Sequence, residues 1–359
     1  MEARDYGYRR NTAFAASIAS YGSMKLTLKP LSEQTIVVTG ASSGIGLATA
    51  LQAAEAGAQV VLAARNEAAL QKIVADITAH GGKAIYVVTD VSKHDEIDHL
   101  AQQAIAHFGG FDTWVNNAGL GLWGRLEEVS DEDHRQLFDI NFWGIVYGSV
   151  TALRTLKQRG GALINLGSVA SDFAFPMQSM YSVTKHAILG YTDALRRELI
   201  DEEAPVSVTL IQPASIGTPF HEHAKNYTGR AKKLPPPVYA PEDVARAILY
   251  AAEHPKRSIH VGGAGKIMGI AEKLIPALND KASSVMIKSQ FDDGGDNTAG
   301  GAEANSLWQA GQDGNVRGHH ASIRRSIFTN AELHPAFTWS IVALAASGLG
   351  LAFARKRRS

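Results

Sequence analysis

Between Gln34 and Gly262, short apolar runs alternate with longer stretches whose apolar residues recur at helical spacing. Seven runs stand out: TIVVT at 35–39, QVVLA at 59–63, KAIYVV at 83–88, TWVN at 113–116, ALINLG at 162–167, VSVTLI at 206–211 and SIHVG at 258–262. They are nearly continuous rather than alternating, as strands buried on both faces are. Amphipathic stretches separate them, the longest at 131–158 and 181–202. This pattern predicts an α/β fold: one doubly wound, Rossmann-type parallel sheet of seven strands with helices on both faces.

The pattern also divides the chain. Residues 1–30 show no periodicity and read as an N-terminal extension, with Met24 an equally good start. Residues 31–278 form the main domain. Residues 279–335, rich in Gly, Asp, Asn, Ser and Gln, read as a flexible linker. Residues 336–354 carry no formal charge, and as a helix they would span ~28 Å, close to a bilayer core of ~30 Å. With the basic tail at 355–359 they predict a C-terminal transmembrane helix that anchors a cytosol-facing domain; without it the expected location is cytoplasmic.

Composition changes this picture little. Hydrophobic residues make up 45% of the 359, so the chain can build a large core. Lys and Arg number 35 against 35 Asp and Glu, which argues against a nucleic-acid partner. There is no cysteine, which excludes disulfides, thiolate metal sites and a cysteine nucleophile. His221 and His223 lie in a loop without a third ligand, so no metal is expected.

Candidate chemistry begins where the first strand ends. Gly40, Gly44 and Gly46 in TGASSGIG lie between a strand and a helix. In that context Gly40 permits a tight turn, Gly44 lets backbone approach a pyrophosphate, and Gly46 lets helix and sheet pack closely. At the end of the second strand the chain has Ala64-Arg65 rather than an acid. A guanidinium favours a 2′-phosphate, so NADP(H) is expected rather than NAD. Tyr181 and Lys185 are four apart on a helix, and a nearby ammonium is expected to lower the tyrosine pKa. Ser168 lies thirteen residues before Tyr181, at the carboxyl end of a strand, where ligand crevices of such sheets lie.

These motifs, in this order, resemble the short-chain dehydrogenase/reductase family over roughly residues 32–265. To the glycine turn they add Asp90-Val91, Asn116-Asn117-Ala118-Gly119, Asn141, the Tyr181-Ser182-Val183-Thr184-Lys185 run and Pro213 with Thr218. The resemblance implies Tyr181 as general acid and base and Lys185 as its modulator and ribose ligand. It implies that Ser168 orients the substrate oxygen and that Asn141 holds a relay water. It places the cofactor against Gly40, Ser42, Ser43, Gly44, Ile45, Gly46, Arg65, Asp90, Val91, Asn117, Gly119, Pro213, Ile216 and Thr218. The family usually has glycine after the proline; here Ala214 stands there.

The implied activity is hydride transfer between NADP(H) and a carbonyl or secondary alcohol, and the expected membrane anchor points to a lipophilic small molecule as substrate. Phe173, Phe175 and Met177, between Ser168 and Tyr181, are candidates for its pocket. A homo-oligomer, dimer or tetramer, is implied by the family alone. A non-catalytic NADP-binding protein and an isomerase or epimerase on the same fold remain the alternatives.

Overall fold

The structure, a computed structural model, describes residues 26–291, 306–311, 313–319, 322 and 326–334. Its sheet has seven parallel strands: β1 Thr35–Thr39, β2 Gln59–Ala64, β3 Lys83–Val88, β4 Thr113–Asn116, β5 Gly161–Leu166, β6 Val206–Pro213 and β7 Ser258–Val261. Their spatial order is β3-β2-β1-β4-β5-β6-β7. The order reverses between β1 and β4, where Val37 pairs with Val61 on one side and Trp114 on the other. A crevice at the carboxyl ends of these strands is the expected ligand site of such a sheet.

Successive side chains point to opposite faces. On one face Ile36, Val38, Val60 and Leu62 meet helices α1 (Gly44–Glu55), α2 (Glu67–Ala79) and α7 (Pro241–Glu253). On the other, Val37 and Val61 meet α3 (His94–Phe108), α5 (Gly144–Arg159) and α6 (Ser179–Asp201). Burying each large aliphatic side chain contributes roughly 1.5–3 kcal/mol, so both layers are held by the same force. Helix α4 (Asp131–Phe138) continues through one π-turn, Asp139–Trp143, into α5. After β7 come α8 (Gly263–Leu274) and two short helices, Pro276–Lys281 and Ser283–Ser289.

Where described, residues 306–334 lie on this domain. Leu307 is fully buried, and α9 (Ile327–Leu333) caps the end of β7, with Leu333 in the core. Thr329 Oγ1 accepts from Gly262 N at 3.1 Å, and Asp243 Oδ2 accepts from Ser326 N at 2.8 Å.

One expectation is corrected. Among the described residues no helix is long and apolar enough to cross a membrane. The last helix among the described residues has seven residues, where a span needs about 20. The segment 336–354 lies outside the described residues, as do residues 1–25 of the N-terminal extension. The fold of the described residues is the Rossmann-type domain, and the expected C-terminal hydrophobic helix is not supported. Membrane anchoring through 336–354, and the membrane location built on it, are not supported.

Candidate active site

One cleft at the carboxyl ends of the strands gathers most of the residues singled out in the sequence. Gly40, Ser42, Ser43, Gly44, Ile45, Arg65, Asp90, Val91, Asn117, Gly119, Ser168, Tyr181, Lys185, Pro213, Ile216 and Thr218 all line it. Gly46 and Asn141 do not; each supports a neighbour that does.

The glycine turn is built by contacts a side chain would destroy. Gly40 has φ +65° and Gly44 φ +55°, conformations only glycine adopts readily. A Cβ on Gly46 would lie 2.2 Å from Gly40 O and 2.5 Å from Asn117 Nδ2, so helix and turn touch because that position is bare. Asn117 locks the turn from the β4 side, its Nδ2 donating to Thr39 O at 2.8 Å and Gly40 O at 3.2 Å. Thr39 Oγ1 accepts from Asn117 N and Ala118 N, at 3.0 and 3.1 Å. Thus the first and fourth strands hold each other's loops at the reversal point.

This bare cradle fits a dinucleotide, since backbone rather than side chains faces the cleft at the helix start. Asp90 sits farther along, its Oδ1 accepting from Ser92 N at 3.0 Å and Ser92 Oγ at 2.7 Å. Ala214, the departure from family pattern, is accommodated by glycines. A Cβ on Gly262 would come to 3.0 Å from the Ala214 methyl, and one on Gly265 to 3.3 Å.

Tyr181, Lys185 and Ser168 converge at the other end of the cleft. Ser168 follows β5 and opens a 3₁₀ turn, Val169–Ser171, through a reciprocal capping box with Ser171. Its hydroxyl accepts from Ala170 N at 3.1 Å, and Tyr181 lines the same cleft. Burial pushes the Tyr181 hydroxyl up to about 12, and the Ser168 contact only partly opposes this. Lys185 is 6% exposed, donates from Nζ to Leu166 O at 2.9 Å, and lies 5.7 Å from the Tyr181 ring centroid. Burial lowers its ammonium to about 8. Within the protein alone, then, Tyr181 is held protonated rather than poised near neutrality.

Asn141 is fully buried in the π-turn. Its Oδ1 accepts from Leu120 N at 2.8 Å, while Nδ2 donates to Leu120 O at 3.0 Å and Thr184 Oγ1 at 3.2 Å. It ties the loop after β4 to the helix that carries Tyr181. A Cβ on Gly119 would lie 3.3 Å from Asn141 Oδ1 and 3.9 Å from Lys185 Nζ.

Of the aromatic candidates only Phe175 reaches the cleft. Phe173 is buried beside it, and Met177 packs near Trp123 and Phe291. Leu120, Phe220 and Leu234 complete the apolar wall, with Phe220 5.7 Å ring to ring from Tyr181. His221 and His223 form a polar side. The wall residues follow irregular segments, where periodicity gives no signal.

The sequence also gave no sign of the strap formed by 306–319. Arg65 donates to Ser306 O at 2.5 Å and Leu307 O at 3.3 Å. Gly44 N donates to Asn315 O at 2.9 Å, and Gly314 N to Ser42 O at 2.8 Å. Ser306, Ala310, Gly311 and Asp313 line the cleft from above.

Comparison with known proteins matches this geometry. The family model for short chain dehydrogenase matches residues 34–228. "Uncharacterized oxidoreductase YxnA" of Bacillus subtilis is 44% identical over 325 residues, covering 89% of this chain and 90% of its own length. "Uncharacterized oxidoreductase SSP1627" of Staphylococcus saprophyticus is 35% identical over 229 residues, 63% of this chain and 92% of its own. Among solved structures, a short-chain dehydrogenase/reductase from Burkholderia phymatum in complex with NAD is 26% identical, with TM-score 0.64, covering 70% of this chain and 97% of that one. A dehydrogenase/reductase from Sinorhizobium meliloti is 28% identical, with TM-score 0.57, covering 65% and 95%. Sequence motifs, sheet order, cleft and relatives agree: the chain belongs to the short-chain dehydrogenase/reductase family, oxidoreductases that act on CH–OH or C=O groups with NAD(P).

Proposed function

We propose that the protein is an NADP-dependent carbonyl reductase or alcohol dehydrogenase in which Tyr181 exchanges the proton with the substrate oxygen. The observation that carries this reading is the meeting of Ser168, Tyr181 and Lys185 in the same cleft as the glycine turn. A bound nicotinamide dinucleotide would supply or accept the hydride. Ser168 holds the substrate oxygen beside Tyr181, and Tyr181, protonated through the neutral range, donates to that oxygen in reduction. Lys185 places a positive charge behind the tyrosine and favours its anion once the proton has left. Asn141 keeps the Leu120 loop and the Tyr181 helix in register.

The 2′-phosphate preference rests on Arg65 and on the absence of an acid at the end of β2. The apolar character of the substrate rests on Phe175, Phe220, Leu120 and Leu234 around Tyr181. A hydrocarbon-bearing ketone or aldehyde fits that wall, while a polyol would bury unpaired hydroxyls against it.

The test is Tyr181→Phe. Its kcat should fall by about 10²–10⁴-fold, the usual weight of a positioned proton donor, while NADPH binding stays within about twofold of wild type. Wild-type kcat in that variant would sink the assignment.

A further inference from the structure

We propose that residues 306–311 and 313–319 form a gate on the dinucleotide cleft, a strap from the same chain that competes with the cofactor for the groups at its phosphate-binding end. This rests on the reading above that the cleft takes NADP(H).

Two independent donors carry the argument. The Arg65 guanidinium, best placed for a 2′-phosphate, is spent on the carbonyls of Ser306 and Leu307. The Gly44 amide, in the turn where a pyrophosphate must approach, is spent on Asn315 O at 2.9 Å. In each case a backbone carbonyl presents its negative end where an anion would bind. The strap therefore imitates the ligand at both positions. Asp313 adds to this: its side chain is 9% exposed, lines the cleft, and lies 3.9 Å from His223 Nε2. A carboxylate there opposes an anionic ligand.

The strap is held from outside the cleft. Trp308 Nε1 donates to Asp133 Oδ1 at 2.8 Å, and Gln136 Nε2 to Leu307 O at 3.1 Å. Arg317 donates twice to Glu242 Oε1, at 3.0 and 2.8 Å. These anchors give the closed strap a stability independent of the cofactor. A ligand that binds only when the strap has lifted has its affinity reduced by the fraction of time the site is open. Loosening the anchors should then tighten binding, the reverse of what removing true ligand contacts does.

The full-length protein with Trp308→Ala and Arg317→Ala tests this, because both side chains are partly exposed and neither lines the cleft. The probes are NADPH, NADH and 2′,5′-ADP, the last reaching only the phosphate end. Binding of NADPH and 2′,5′-ADP, followed by calorimetry, should tighten about 5- to 10-fold in the double variant. In wild type, saturating NADPH should speed trypsin cleavage after Arg317. Unchanged or weaker affinity in the variant, or protection of Arg317 by NADPH, overturns the gate. If wild type and variant bind neither dinucleotide, the cofactor reading falls and the gate with it. If both bind with equal affinity, the gate alone falls.

Discussion

The proposed chemistry turns on one tyrosine and the lysine behind it. A hydroxyl pushed up to about 12 remains protonated across the working range, so the pH limit on reduction belongs to Lys185, lowered to about 8. The kcat for carbonyl reduction should therefore hold through neutral pH and decline above about pH 8 as the ammonium is lost. A plateau continuing to about pH 10 would contradict that order. Gly46 gives a second prediction. A methyl group 2.2 Å from Gly40 O cannot be accommodated without moving backbone, so Gly46→Ala should cost roughly 1–3 kcal/mol of stability. It should also weaken NADPH binding; a melting temperature and affinity equal to wild type would refute the close-contact account. Arg65 donates to the strap and is also the proposed ligand of a 2′-phosphate. Arg65→Asp should lower the NADP/NAD ratio of kcat/KM, and an unchanged ratio would remove it from 2′-phosphate recognition.

At the scale of elements, strand ends explain what could be read in advance. Continuous apolar runs mark the strands, and in a parallel sheet their carboxyl ends share one crevice, so Gly40 and Ser168 were placeable from sequence, while Asn117 and Pro213 were marked by the family resemblance. Tyr181 and Lys185 followed from helical spacing. Asn141 was marked by family resemblance, but its clamp on Leu120 depends on a π-turn, which leaves no periodic trace. Phe173 and Phe175 looked alike in sequence; only backbone direction after the 3₁₀ turn separates the buried ring from the one in the cleft.

Another element carries its own prediction. His260 on β7 lies 3.9 Å from Asp172 Oδ2 and 3.7 Å from Glu332 Oε1 of α9, ion-pair range rather than hydrogen-bond range. Burial works against its charge, but Asp172 and Glu332 prevail and hold its pKa above the ordinary value. Asp172, beside His260, Lys273 and Gln212, is held well below the usual carboxylate range. Because the folded His260 pKa is raised, its contribution is full below about pH 6.5 and lost as pH rises through the folded value. The Asp172 contribution is present above about pH 3.9 and lost as pH falls through its depressed value. His260→Gln should therefore cost about 1 kcal/mol, or ~2–4 °C in Tm, near pH 6 and little near pH 9. An equal loss at both pH values would show that packing rather than charge is at work.

For the whole molecule, the C-terminal third changes meaning between sequence and structure. Polar, glycine-rich composition describes a segment that does not pack by apolar burial alone. The strap at 306–319 is instead held largely through backbone carbonyls and a few side chains, which composition cannot reveal. Leu307 and Val316 are apolar points that fasten the strap to the domain, and Leu333 does the same for α9. The match to the Bacillus subtilis protein covers 89% of the chain, so it extends past the Rossmann domain into this region. The membrane reading came from the uncharged run at 336–354 with its basic tail, and no helix among the described residues supports it. The chain is a short-chain oxidoreductase, and the cleft proposed for its cofactor is lined in part by Ser306, Ala310, Gly311 and Asp313 of the same chain.

The most direct test follows the transferred hydrogen. The protein would be incubated with NADPH deuterated at C4 of the nicotinamide, on either face in separate reactions, and a panel of apolar ketones and aldehydes. Deuterium should appear on the carbinol carbon of the alcohol formed, from one face only. NADPH consumed without label in any product, or binding with no turnover across the panel, would contradict the proposed hydride transfer.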